Sequence, residues 1–242
     1  MDTLKNHVAV ATGASSGIGK AIALALAELG VEVYLVARRR DELETLASQI
    51  RNTGGVAHVC QADLTSDEDI RDAIKQVEEN AGRVDVLVLC GGAIAHGTLE
   101  HASLTDFDML YRTNLRGHYA LTQGLLPSLR KQKGQIAFIN STTGLMSPVG
   151  TGQFSATQHA FRAIANSLRD EVNADGIRVL SVYLGRVATP RTEALFQKEG
   201  KPYRPELLLQ PEDVASVVIH SLCLPPTAEV TDITLRCMMK SY

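Results

Sequence analysis

The chain has 242 residues, 45% of them hydrophobic and 21% charged, with a formal net charge of -3. That is enough apolar material for one large core, and the weakly acidic balance without a long basic tract argues against nucleic acid or an anionic membrane as the main partner. No apolar run approaches membrane-spanning length and no leader pattern opens the chain, so the expected location is the cytoplasm. Cys60, Cys90, Cys223 and Cys237 stand far apart, without metal-ligand or redox spacing, which predicts reduced core residues and no metal site.

The expected elements alternate along the chain. Residues 8–11, Val-Ala-Val-Ala, predict a strand, and 20–27 are good helix formers. A second strand is expected over 32–37, a helix over 41–51 with Leu43, Leu46 and Ile50 on one face, and a third strand over 57–61. Ser66 caps a helix running to about Asn80, and the continuously apolar 84–89 reads as a buried fourth strand. A long helix over 105–130 and a fifth strand over 135–140 follow. A second long helix over 153–174 stops at Asp175-Gly176, before a sixth strand over 178–183. Pro211-Glu212-Asp213 opens a helix ending near Cys223, Pro225-Pro226 breaks it, and 233–235 is a seventh strand. Strands joined by crossover helices predict an α/β Rossmann fold: a doubly wound, seven-stranded parallel sheet flanked by helices, as a single domain over 1–242 containing the substrate pocket. Ligands then lie outside the carboxyl ends of the strands, at the loops after strands one, two, four, five and six.

Between the first strand and helix stands Thr12-Gly13-Ala14-Ser15-Ser16-Gly17-Ile18-Gly19. Gly13 allows a tight turn, Gly17 lets backbone approach a pyrophosphate, and Gly19 lets the helix pack on the strand, while the free N–H groups at the helix start hold an anion. A glycine-rich turn alone can be an ordinary loop; strand, loop and helix in this order favour a dinucleotide site. After strand two no acidic residue is placed to grip a ribose hydroxyl, and Ala37 is followed by Arg38-Arg39-Arg40. An arginine there suits a 2′-phosphate, so the expected cofactor is NADP(H), with Arg38 the main contact and Arg39 beside it; the alternative is a solvated helix start.

The glycine loop, Asp63 after strand three, Asn114, Ser141 and Gly185-Arg186-Val187-Ala188-Thr189 resemble the short-chain dehydrogenase/reductase family over almost the whole chain and in order. The resemblance implies an NAD(P)-dependent oxidoreductase acting on a small molecule such as a ketone or alcohol, assembled as a homodimer or homotetramer. It implies Asp63, with Leu64, at the adenine; Gly185, Val187 and Thr189 at the nicotinamide amide; Ser141 at the substrate carbonyl; and Asn114 at a proton-relay water. The loop Leu89-Cys90-Gly91-Gly92 keeps backbone near the cofactor through Gly91 and Gly92, but lacks the asparagine that in the family braces neighbouring strands.

The departures bear on chemistry. Where the family has its catalytic tyrosine and lysine, this chain has Phe154 and Gln158, and neither Ser155 nor Asp175 compensates. A tyrosine exchanges a proton near neutrality only when a nearby cation lowers its pKa; phenylalanine cannot donate, and glutamine is uncharged, although its amide can still bond a ribose. Weak reduction is therefore expected to survive better than alcohol oxidation. Three histidines are candidate replacements for the acid: His96 in the loop after strand four, which is preferred; His118, one turn after Asn114; and His159, about 100° around the helix from Gln158. Surface or core histidines are the alternative. The leading reading is an NADP(H)-binding member of the family with an atypical, feeble oxidoreductase site. The rivals are a catalytically silent cofactor sensor or regulatory subunit, and a non-redox isomerase, lyase or cyclase. Apolar residues beyond one sheet face's needs on the two long helices, Leu110, Leu115, Leu121, Leu125 and Leu129 with Phe161, Ile164 and Leu168, point to a twofold mate, unless the sheet takes them all.

Overall fold

Seven strands pair in parallel in the order β3-β2-β1-β4-β5-β6-β7. They are β1 (Val8–Thr12), β2 (Glu32–Ala37), β3 (Ala57–Gln61), β4 (Val86–Leu89), β5 (Gln135–Ser141), β6 (Arg178–Leu184) and β7 (Asp232–Leu235). This computed structural model describes residues 4–239, so the ends 1–3 and 240–242 of the expected domain lie outside the described residues. β1 and β4 are buried along their whole length because helices cover both faces of the sheet, which is why they read as continuous apolar runs. Winding proceeds from β1 outward to β3, then returns to β4 on the other side of β1. The resulting crevice opens at the carboxyl ends of β1 and β4.

The described residues form eight α-helices: α1 (Gly17–Glu28), α2 (Arg40–Asn52), α3 (Asp67–Asn80), α4 (Leu104–Tyr111), α5 (Gly117–Gln132), α6 (Gly152–Val172), α7 (Pro190–Lys198) and α8 (Pro211–Leu222). One face packs Ile22, Leu26, Leu43, Ile50, Val214 and Val218 from α1, α2 and α8; the other packs Ile70, Val77, Leu121, Leu125, Phe161 and Leu168 from α3, α5 and α6. Each such side chain contributes about 1.5–3 kcal/mol on leaving water. None of the described helices is long and apolar enough to cross a membrane.

The helix expected over 105–130 runs without interruption over 104–132, but its hydrogen-bonding pattern changes on the way. α4 ends at Tyr111, a π-helical turn spans Arg112–Arg116, and α5 resumes at Gly117. Two contacts accompany this wider turn. Gly117 packs so closely on Leu64 that a Cβ would overlap the Leu64 carbonyl oxygen, and the wide turn swings Asn114 inward to bond the loop after β4. The second long helix stops at Val172, followed by a 3-10 turn and Gly176 at φ +78°. α7 was not expected; Pro190 starts it, and the Thr189 hydroxyl accepts from the Thr192 N–H.

Most of the apolar surplus packs within the chain. Leu110, Leu121, Leu125, Leu129, Phe161 and Leu168 are buried within this one chain, and only Leu115 and Ile164 stay half-buried. The exposed apolar groups of the region are Leu104, Phe107, Tyr111 and Tyr119 on α4 and α5. Of the cysteines, Cys60 is buried, while Cys90, Cys223 and Cys237 are half-buried; all are free.

Candidate functional site

The glycine loop lies at the carboxyl end of β1. Gly13 has φ +66°, and a Cβ there would come within 2.9 Å of Gly91 backbone atoms across the crevice. A Cβ on Gly19 would overlap the Gly13 carbonyl oxygen. Loop, α1 and the end of β4 thus meet backbone to backbone. α1 begins with no acidic residue in its first turn, and Ser16 makes no side-chain cap bond, so the first N–H groups face the cleft without a competing acceptor.

These groups line a cavity of about 430 Å³ containing Gly13, Ser15, Ser16, Gly17, Ile18, Gly19, Arg38, Arg39, Asp63, Leu64, Gly91 and Gly92. Every expected residue from the loops after the first three strands is therefore present. The two arginines differ in what they hold. Arg39 donates to the Ser15 hydroxyl at 3.1 Å and lies 3.6 Å from the Glu42 carboxylate, whereas the exposed Arg38 guanidinium has no such partner among the described residues. Asp63 Oδ1 accepts from both the N–H and the hydroxyl of Thr65 at 2.9 Å, a local turn that presents its remaining oxygen.

A second cavity, of about 670 Å³, is lined by Asn114, Ser141, Phe154, Gln158, Gly185, Val187 and Thr189, with Met146, Pro148, Val149 and Leu195 as apolar wall. The two cavities share Ile18, Cys90, Gly91, Gly92, Thr189 and Arg191. Ser141 Oγ accepts from Thr143 N–H at 3.1 Å and Thr143 Oγ1–H at 2.9 Å, which leaves its own proton free to donate. Phe154, 7% exposed, presents only a ring. Gln158 is buried beside the cavity, its backbone carbonyl accepting from Asn140 Nδ2 at 3.1 Å. Asn114 is committed to structure: Oδ1 accepts from Ala93 N–H at 2.6 Å, and Nδ2 donates to Ala93 O at 3.0 Å and Thr157 Oγ1 at 3.3 Å.

The three histidines separate. His118 is buried, with Nε2 3.3 Å from Thr12 Oγ1 and Nδ1 3.2 Å from Asn114 O, and burial pushes its pKa down to about 4. His159 is exposed, with Nδ1 2.9 Å from Ser155 O. Only His96 of the three lines the larger cavity. Thr12 ties the end of β1 to the loop after β4, its hydroxyl accepting from the N–H groups of Cys90 at 2.8 Å and Gly91 at 3.0 Å. The half-buried Cys90 thiol is pushed up to about 12 by burial, so it is no nucleophile near neutrality.

Sequence reasoning quoted Thr12 in the glycine loop without giving it a role, and missed Arg191 and Glu199. Arg191, in the first turn of α7, lies where both cavities meet, close to Cys90 and Arg38, with no ion pair among the described residues. Glu199, just past α7, lines the larger cavity. The Pro190 helix start was the available signal for both.

Residues 7–200 match the model of the short chain dehydrogenase family. The chain belongs to that family. A Staphylococcus epidermidis protein named an uncharacterized oxidoreductase is 32% identical over 98% of this chain and 99% of its own. Among solved structures of the family's fold, an alcohol dehydrogenase from Thermococcus sibiricus complexed with 5-hydroxy-NADP is 30% identical, with TM-score 0.88 over 98% of this chain and 100% of that one. The L-sorbose reductase of Gluconobacter frateurii, complexed with NADPH and L-sorbose, is 25% identical with TM-score 0.90, covering 100% of both chains.

His118 gives this family member a pH-dependent stability. Its folded pKa lies below the unfolded value near 6.5, so the contribution is complete above about pH 6.5 and is lost as pH falls toward 4. At about 1.4 kcal/mol per unit the loss approaches roughly 3 kcal/mol. Urea midpoints measured between pH 7 and 4 should fall along this slope, and His118→Gln should flatten it.

Proposed function

We propose that this chain is an NADP(H)-dependent reductase of atypical, slow chemistry, acting on a small ketone, aldehyde or alcohol in the cytoplasm, with cofactor and substrate pockets in one domain. The observation that carries the reading is a dinucleotide cradle opening directly into a cavity that holds a free serine proton, with Phe154 and Gln158 on its wall. The cradle fits the cofactor: at Gly13 and Gly19 a Cβ would strike backbone, and the first turn of α1 faces the cleft without an acid.

In this reading Gly13, Ser15, Ser16, Gly17, Ile18 and Gly19 hold the pyrophosphate, with Arg191 as a further cation. Arg38 takes the 2′-phosphate, and Arg39 fixes Ser15. Asp63 and Leu64 face the adenine, and Gly91 and Gly92 give backbone access. Gly185, Val187 and Thr189 meet the nicotinamide amide, and Gln158 bonds its ribose. The bound nicotinamide supplies or receives the hydride. Ser141 donates its free proton to the substrate oxygen, so the carbonyl is polarised and oriented. Asn114 holds the loop after β4 on α6 rather than ordering a water through its amide. Phe154 excludes water but gives no proton, and Gln158 gives no charge, so a contribution of about 10²–10⁴ from the family's acid is missing at that position.

The same two replacements favour, as the second reading, a cofactor-binding subunit without turnover. Assembly as a homodimer or homotetramer is supported by the apolar face of Phe107, Tyr111 and Tyr119, exposed on α4 and α5. Light scattering at micromolar concentration should give a multiple of the chain mass; a monomer mass overturns the assembly.

Phe154 and Tyr differ by one hydroxyl and Gln158 lines the same cavity, so Phe154→Tyr with Gln158→Lys should fold normally, bind NADPH and raise kcat/KM by at least about tenfold toward ketones or aldehydes. Phe154→Tyr alone should gain less, because its phenol lacks the cation. A folded double variant that binds NADPH but is no faster than the parent contradicts the reading.

A further inference from the structure

We propose that His96 and Glu199 form the proton-transferring pair of this pocket, His96 Nε2 exchanging the proton with the substrate oxygen and Glu199 acting as a positioning residue behind Nδ1. This rests on the reductase reading above and supplies the acid that Phe154 cannot.

The geometry places the imidazole beside the vacant chemistry. The His96 ring centroid lies 6.2 Å from that of Phe154, at 53° between planes, and both side chains line the larger cavity with Ser141. The loop carrying His96 is pinned on both sides: Ala93 is gripped twice by Asn114, and the Gly97 N–H donates to Gly150 O at 2.8 Å. Nδ1 lies 3.5 Å from Glu199 Oε1, within ion-pair reach, and Nε2 has no hydrogen-bond partner among the described residues. Glu199 is fixed in turn by Lys201 Nζ at 3.0 Å and Arg186 Nη2 at 3.1 Å, and the Arg186 guanidinium stacks over Phe196 with its carbon 4.5 Å from the ring centroid. A cavity-lining imidazole with one nitrogen within ion-pair reach of a held carboxylate and the other without a hydrogen-bond partner among the described residues is arranged for proton transfer.

Charges around His96 set its working range. Burial pushes its pKa below the ordinary value, Glu199 pulls it back, and Arg186 and Lys198 push it down again, with a net depression. Burial raises the Glu199 pKa, but the bonds from Lys201 and Arg186 outweigh that and keep the carboxyl below its usual range, so Glu199 is the anion of the pair. In reduction, hydride from the reduced nicotinamide forms the new C–H bond and the carbonyl π pair moves to oxygen. The Nε2–H bond of the imidazolium then breaks, its electron pair stays on nitrogen, and the proton forms the product hydroxyl. Solvent returns a proton to the neutral ring. In oxidation neutral Nε2 takes the alcohol proton as hydride leaves to the oxidised nicotinamide.

The test follows kcat/KM against pH with NADPH and a panel of aldehydes and ketones, alongside the NMR titration of His96 in the cofactor-free protein. Reduction should fall as pH rises through a midpoint below about 6.5, matching the NMR midpoint. His96→Gln should lose about 10²-fold and the midpoint, with NADPH binding unchanged. Glu199→Gln should move both midpoints to lower pH, a shift that a merely structural contact would not produce. His101→Gln, on an exposed loop, should change neither. A His96→Gln protein that keeps the parental rate and profile overturns the pair and leaves the reductase reading standing; a parent that binds NADPH but turns over no carbonyl at any pH overturns both.

Discussion

The hydroxyl of Thr12 is the contact on which the site depends. It stands at the end of β1, where the winding reverses, and accepts the N–H groups of Cys90 and Gly91 at the end of β4, setting the spacing of the two walls of the crevice. His118 reaches the same oxygen from α5 and passes the linkage to the Asn114 carbonyl, and the Asn114 amide carries it to Ala93 and Thr157. Sheet, π-turn, β4 loop and α6 are thereby one hydrogen-bonded unit, largely buried, in which an unpaired group would bear a desolvation penalty of about 1–3 kcal/mol. The positions of Phe154 and Ser141 relative to the glycine cradle follow from that unit.

The fold separates two tasks that sequence change can alter independently. Anion binding uses backbone: glycine φ values, the start of α1 and close approach of loops, none of which depends on the side chains at 154 and 158. Proton transfer uses side chains at the ends of different elements, so replacing Phe154 and Gln158 changes chemistry while the scaffold stays intact. The loop after β4 and the segment after α7 bring two further polar groups, His96 and Glu199, to the same cavity as Ser141.

The backbone-determined features were the legible ones. A glycine loop between an apolar run and a helix former has few structural meanings, and strands buried on both faces are apolar throughout. The short-chain family resemblance located Ser141, Phe154 and Gln158, which the folded chain brings to one cavity. The π-turn was not legible, because helical periodicity holds on either side and the features that accompany it, Gly117 against Leu64 and Asn114 on Ala93, are contacts between distant segments. α7 lacks a strong apolar stripe, and nothing in the sequence announces that Glu199 will meet His96. Leu121, Leu125 and Leu129 are buried within the chain, the second of the two placements their pattern left open, because α3 joins the sheet in covering α5, with Ile74 packed on Gly124.

Calorimetric titration with NADPH and with NADH tests the central claim, that the cradle binds the cofactor and selects the 2′-phosphate with Phe154 and Gln158 on the wall of the adjoining cavity. One NADPH per chain, bound at least about tenfold more tightly than NADH, a difference near 1.4 kcal/mol, with that preference abolished by Arg38→Ala, is the expected result. Absence of NADPH binding, or equal affinity for the two nucleotides, contradicts it.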